Sequence, residues 1–189
     1  MSTDCVSDPE LVERARRGDT AAFGVLVDRH RTPVFRAALA ALGSYEDAEE
    51  VAQDAFVAAF RRLDGFRGDA SFKTWVIAIA WRKALTKRRS VATLMRRIAT
   101  PPEESGWEFP DAGRTQEQAV MDADLHAQVR RLIRDLTPKL RDALLLAASG
   151  DYTMEEMGRL LRVPTGTVKW RVAEARRQLK TRLAGLGYG

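Results

Sequence analysis

Residues 153–183 read TMEEMGRLLRVPTGTVKWRVAEARRQLKTRL, and their punctuation decides the fold class. Thr153-Met154-Glu155-Glu156 is a capping box. The Thr153 hydroxyl takes the backbone amide three residues on, and the Glu156 carboxylate reaches back, so a short helix starts here. Val163-Pro164 makes a tight turn, and a second helix starts at Thr165. Met157, Leu160, Leu161, Val163, Val168, Val172, Ala175 and Leu179 form one packed side. Lys169, Trp170, Arg171 and Arg176 project from the second helix. Two helices of this length and polarity fit a helix-turn-helix, whose second helix enters a DNA major groove. There its early residues meet base edges and its cations hold phosphates. The competing reading is an ordinary helical hairpin with a solvated basic face.

Working outward, helix is expected nearly throughout. Upstream, one helix spans about Gln118 to Leu136, and another runs from Thr137, with Pro138 at its first position, to about Ala148. Residues 99–120 break the pattern. Pro101-Pro102, Gly106, Pro110 and Gly113 cannot continue a helix, and acids dominate, which reads as an inter-domain linker. Earlier still, Ser71 caps a helix through about Arg89 that is apolar first and basic last. Asp64-Gly65-Phe66-Arg67-Gly68-Asp69 reads as an ordered loop. Ser44 caps the best-patterned helix, in which Ala48, Val51, Ala52, Ala55, Phe56, Ala59 and Leu63 recur at helical spacing. Before it, Thr20 caps a run containing Phe23, Leu26, Val34, Phe35 and Leu39, which Pro33 is expected to break or kink and Gly43 to end. No repeat with a period of about 20–50 residues is present.

Composition narrows the function. The chain has 189 residues, 45% apolar and 30% charged, with net charge +5. That places it among globular proteins of one domain or two small ones. No stretch nears the roughly 18 apolar residues of a membrane span, and the N-terminus lacks a signal pattern. The expected compartment is the cytoplasm. A lone cysteine, Cys5, and two distant histidines, His30 and His126, leave no expected metal site or cofactor. Walker-type phosphate loops, nucleophile elbows and HExxH are all lacking, so no catalytic residue is expected.

The charges are segregated. Residues 82–97 hold Arg82, Lys83, Lys87, Arg88, Arg89, Arg96 and Arg97 without an acid. Residues 162–182 hold seven bases, including Arg177, against Glu174 alone. The stretch 46–54 holds Glu46, Asp47, Glu49, Glu50 and Asp54 without a base. Two basic blocks suggest two contacts with a polyanion, and the acidic one suggests a basic protein partner. Phe66, Phe72, Trp75 and Trp81 beside the first basic block suit single-stranded nucleic acid, where bases stack on rings. For Phe72 and Trp75 the favoured reading is core; for Phe66 and Trp81 core and stacking stand level.

These residues resemble a known family. Asp47-Ala48-Glu49-Glu50-Val51-Ala52-Gln53-Asp54-Ala55-Phe56, with Phe66-Arg67-Gly68-Asp69-Ala70-Ser71-Phe72-Lys73-Thr74-Trp75, is similar to region 2 of the extracytoplasmic-function (ECF) sigma factors. These are group IV of the housekeeping-type sigma factors. Thr153-Met154-Glu155-Glu156 with Val163-Pro164-Thr165-Gly166-Thr167-Val168-Lys169 resembles region 4.2. The resemblance covers nearly the whole chain in the right order.

It implies an all-α protein: region 2 at 7–98, a linker at 99–120 and region 4 at 121–187. It implies a non-enzymatic initiation subunit of bacterial RNA polymerase. Asp47, Glu50, Gln53, Asp54 and Val57 would bind the β′ clamp helices. Phe66, Arg67, Asp69, Trp75, Trp81, Arg82, Lys83, Lys87 and Arg88 would melt and hold the −10 element. Thr165, Thr167, Lys169, Trp170, Arg171, Glu174 and Arg176 would read the −35 element, with region 4 on the β flap. Promoter DNA and core polymerase are thus the implied partners, and an anti-sigma factor is a further one. The chain departs from the family at Arg82, where an amide is usual, and at Trp170 and Glu174, where a small residue and a base are common. Glu174 could accept from cytosine N4. Two rivals remain: a stand-alone DNA-binding regulator, which leaves the acidic helix unexplained, and a nucleic-acid enzyme, which would need carboxylates beside the basic face.

Overall fold

Asp19, Gly43 and Ser71 punctuate the N-terminal half of the computed structural model, which describes residues 6–98, 125 and 128–188. The chain divides into two compact units, Met1–Glu103 and Glu104–Gly189, and every described regular element is helical. The fold is all-α. Among the described residues no helix is long and apolar enough to cross a membrane. Residues 99–124, which include the expected linker and the expected helix start at Gln118, lie outside the described residues, as does Cys5.

In the first unit, α1 (Asp8–Arg16) leads into α2 (Thr20–Leu42), α3 (Tyr45–Arg61), a 3-10 turn (Leu63–Gly65) and α4 (Phe72–Ile98). α2, α3 and α4 pack on one another, and α1 lies on α2. The N-cap of α2 is Asp19 rather than Thr20: its carboxylate accepts the Ala22 amide at 3.0 Å. Gly43 ends α2 in the left-handed conformation, φ 78°, which favours glycine, and its amide bonds the Leu39 carbonyl. Ser44 then accepts the Asp47 amide at the start of α3, as expected.

Pro33 does not end its helix. α2 runs through it, although an interior proline costs about 3 kcal/mol. Val34, Ala37, Ala38 and Ala41 just beyond it are buried, and their packing offsets that cost. α4 also runs past its expected end near Arg89. α3 buries Ala48, Val51, Ala52, Ala55, Phe56 and Ala59 of the expected stripe, so its acids fall on the other side, while Leu63, also buried, falls in the 3-10 turn.

Among the described residues of the second unit, α5 is helical over 128–134 and buries Leu132 and Ile133. It continues with α6 (Pro138–Ala148), α7 (Met154–Leu161) and α8 (Thr165–Gly185), all three packed together. The Thr153 capping box forms, with the Glu156 amide donating to Thr153 at 3.2 Å and the Thr153 amide donating to Glu156 at 2.8 Å. Arg162 leaves α7 at φ 54°, a left-handed position that costs a non-glycine about 1–2 kcal/mol. Gly158 faces the turn so closely that a Cβ there would sit 2.9 Å from the Val163 carbonyl oxygen. Val168, Val172 and Ala175 close the core from α8.

Candidate functional site

The exposed side of α3 carries Glu46, Glu49, Glu50, Gln53 and Asp54 together with two apolar residues, Val57 and Phe60. Part of its charge is answered from α4. Lys83 Nζ donates to Asp54 at 2.9 Å, and Lys87 Nζ lies 2.6 Å from Asp47 and 2.7 Å from Glu50. Burial works to lower the Lys87 pKa, but the two carboxylates outweigh it and hold the ammonium above its ordinary value. These pairs do not close the face: the Glu50 and Asp54 side chains remain 67% and 60% exposed. Exposed pairs of this kind contribute about 0–1 kcal/mol each, so a stronger cationic partner can displace the lysines.

Lys83, Lys87 and Arg88, which the resemblance places with the DNA-holding residues, have partners within the unit. The two lysines bridge to α3, and Arg88 Nη1 donates to the Ala41 carbonyl at the end of α2, 3.1 Å away. Arg82 is exposed, beside a shallow groove that Asp54, Val57, Arg61 and Arg62 also line.

Trp81 requires a correction. It is 1% exposed, among Ile77, Ala80 and Ala84 of the same helix, so no nucleic-acid base can reach its ring. Phe72 is core as expected. Phe66 and Trp75 are half-buried, their ring centroids 4.9 Å apart. Arg67 and Asp69 of the loop are exposed and 3.2 Å from each other. Beside them lies a groove of about 360 Å³ lined by Val12, Arg16, Phe66, Arg67 and Phe72, among others.

Nothing in the sequence reading pointed to Arg16. Its Nε donates to the Leu63 carbonyl at 3.2 Å and its Nη2 to the Phe66 carbonyl, strapping the turn that carries Phe66. α1 is itself tied down, because Asp8 receives Arg29 Nη1 at 3.1 Å and lies 2.6 Å from His30 Nε2. The available signal was Ser7-Asp8-Pro9 ahead of Leu11, Val12 and Ala15, a helix start followed by apolar spacing.

On α8, Lys169 and Arg176 are exposed, Thr165, Thr167 and Arg171 are half-buried, and Trp170 stands out at 62% exposure. Among the described residues Lys169, Arg171 and Arg176 have no acidic partner. Glu174 is engaged within its own helix. It accepts Arg177 Nε at 2.8 Å and Nη2 at 2.7 Å, and Gln178 Nε2 at 2.8 Å. Those bonds, Arg177 first, bring its carboxyl down to about 2. Oε1 thus holds two donors and Oε2 one, so a single acceptor position is left on Oε2.

Two family patterns match the chain: sigma-70 region 2 over residues 26–93 and sigma-70 region 4 over residues 126–179. The ECF RNA polymerase sigma-E factor of Escherichia coli K12 is 32% identical over 186 residues, covering 96% of each chain. The chain belongs to the ECF sigma factors. The RNA polymerase sigma-H factor of Pseudomonas aeruginosa is 31% identical over 185 residues, covering 95% of each. Among solved structures, CnrH in complex with the cytosolic domain of CnrY superposes with TM-score 0.66 at 25% identity, covering 94% of this chain and 97% of that one. The sigma factor RpoE of Bartonella quintana, in complex with the anti-sigma factor NepR, gives 0.67 at 18% identity, covering 86% and 96%. ECF sigma factors serve promoter-directed transcription initiation with RNA polymerase, and they are transcription regulators rather than enzymes.

Proposed function

We propose that this ECF sigma factor docks on core polymerase through α3 and holds promoter DNA with two separate surfaces. Carrying the reading is the α3 face, where exposed Val57 and Phe60 sit beside Glu49, Glu50, Gln53 and Asp54. Exposed apolar residues beside a cluster of carboxylates suit a basic protein surface such as the β′ clamp helices. The 7–98 unit takes the −10 element. Phe66, the exposed part of Trp75, and Arg67 and Arg82 offer a ring platform and cations for the unpaired strand, and the groove beside Phe66 suits one unstacked base.

The 121–187 unit takes the −35 element through the early part of α8, where Lys169, Trp170 and Arg171 project, while its body rests on the β flap. The cytoplasm, where polymerase and promoter lie, is the compartment this implies. An anti-sigma factor is a further partner, a reading supported by the structure of CnrH in complex with the cytosolic domain of CnrY.

The test is recovery of core polymerase by the full chain. The pair Glu50→Arg and Asp54→Arg abolishes recovery, and so does Val57→Asp, which touches none of the ion pairs. Melting curves verify that each variant folds. Wild-type recovery by both would remove the reading.

A further inference from the structure

The buried residues Val168, Val172 and Ala175 define the inner side of α8. At about 3.6 residues per turn, the opposite side is Gly166, Trp170, Ala173 and Arg177, and all four are exposed. Arg177 thus shares the outward line with Trp170, although spacing alone drew attention to Arg176. Its guanidinium has two edges that can hold a pair of acceptors: Nε with Nη2, and Nη1 with Nη2. Glu174 occupies the first edge with two bonds, at 2.8 and 2.7 Å. The second edge points away from that carboxylate on a side chain that is 68% exposed. Such an edge matches the two oxygens of a phosphate.

We propose that Arg177 is a DNA-backbone contact of α8 and that Glu174 is its positioning residue, not a reader of bases. The proposal rests on α8 being the −35 helix. Arg177 lies about 18 Å along the axis from the start of α8, beyond the early residues that meet base edges. A bidentate clamp fixes a long side chain in advance, so less freedom is lost when the phosphate arrives. Gln178 donates to the same Glu174 oxygen as Arg177 Nη2, which anchors the carboxylate from the far side.

The experiment uses holoenzyme assembled from the full chain and core polymerase, on a promoter that the wild type selects from a randomised library. Binding is titrated over a range of salt, on that promoter and on versions with single −35 substitutions. Arg177→Ala weakens binding about tenfold, equally on every −35 version, and lowers the salt slope by about one. Glu174→Ala weakens it about threefold with base preference unchanged, and adds no loss once Arg177 is alanine. Arg177→Lys fails to restore the wild-type level, because an ammonium cannot bridge carboxylate and phosphate in the same plane.

A change of base preference in Glu174→Ala would make Glu174 a reader and overturn the proposal. So would tighter binding of Glu174→Ala whether or not Arg177 is present, which would mark the carboxylate as a simple repellent. If the wild type selects no −35 element, the α8 reading fails first. If it selects one and Arg177→Ala binds it normally, only this inference falls.

Discussion

α4 and α8 each carry a tryptophan beside a run of bases, and the two tryptophans have opposite fates. Trp81 is 1% exposed and Trp170 is 62% exposed. The bases diverge in the same way. Lys83 and Lys87 of α4 bridge to carboxylates of α3, and Arg88 holds the end of α2, whereas Lys169 and Arg176 of α8 stand in solvent. An aromatic next to cations is therefore two different devices. Register decides which one is built. Trp81 continues the buried series Ile77, Ala80, Ala84, and Trp170 falls opposite Val168, Val172 and Ala175.

The sharpest break of this contrast is a pair of truncations. Trp81→Ala empties a core site and costs about 3–5 kcal/mol of stability, read by denaturant unfolding. Trp170→Ala stays within about 0.5 kcal/mol of wild type in the same measurement while weakening promoter binding. Equal stability losses would erase the distinction. Next in size is Gly158→Ala, where the added methyl would press on the Val163 carbonyl. It destabilises the second unit by about 1–3 kcal/mol and leaves melting of the first unit unchanged, seen by residue-resolved hydrogen exchange.

The double change Lys83→Ala and Lys87→Ala costs about 1 kcal/mol in low salt, and the difference from wild type vanishes near 1 M salt. Smallest is the acid response of α8. Glu174 ionises at about 2 when folded, below its usual 4.5, so its contribution is complete above about 4.5 and fades as pH falls toward 2. Glu174→Gln flattens that part of the pH–stability curve.

Much of this was readable in advance because it is local. Gly43 then Ser44, the Thr153 capping box and the α3 stripe each concern neighbours within about one turn, and each formed as spacing implied. Sequence reading is silent where partners are remote. Lys87 meets Glu50 from 37 positions away, and no local pattern announces that pairing. Pro33 shows the same competition, since local propensity favoured a break and packing by Val34 and Ala37 prevailed. Trp81 differs in kind. Its register was available, but the adjacent bases drew attention to stacking instead of to Ile77 and Ala84. At Glu174 the i, i+3 spacing to Arg177 was equally plain, and what spacing could not convey is that three donors converge on its carboxylate.

The grip of Arg16 on the Phe66 carbonyl spans 50 positions of chain. During synthesis α1 leaves the ribosome early, yet the turn it steadies exists only once residue 66 has followed, so this corner cannot mature until the three-helix bundle is nearly translated. A deletion or bulky fusion that peels α1 away would be felt far downstream, as a slack aromatic loop on an otherwise intact bundle.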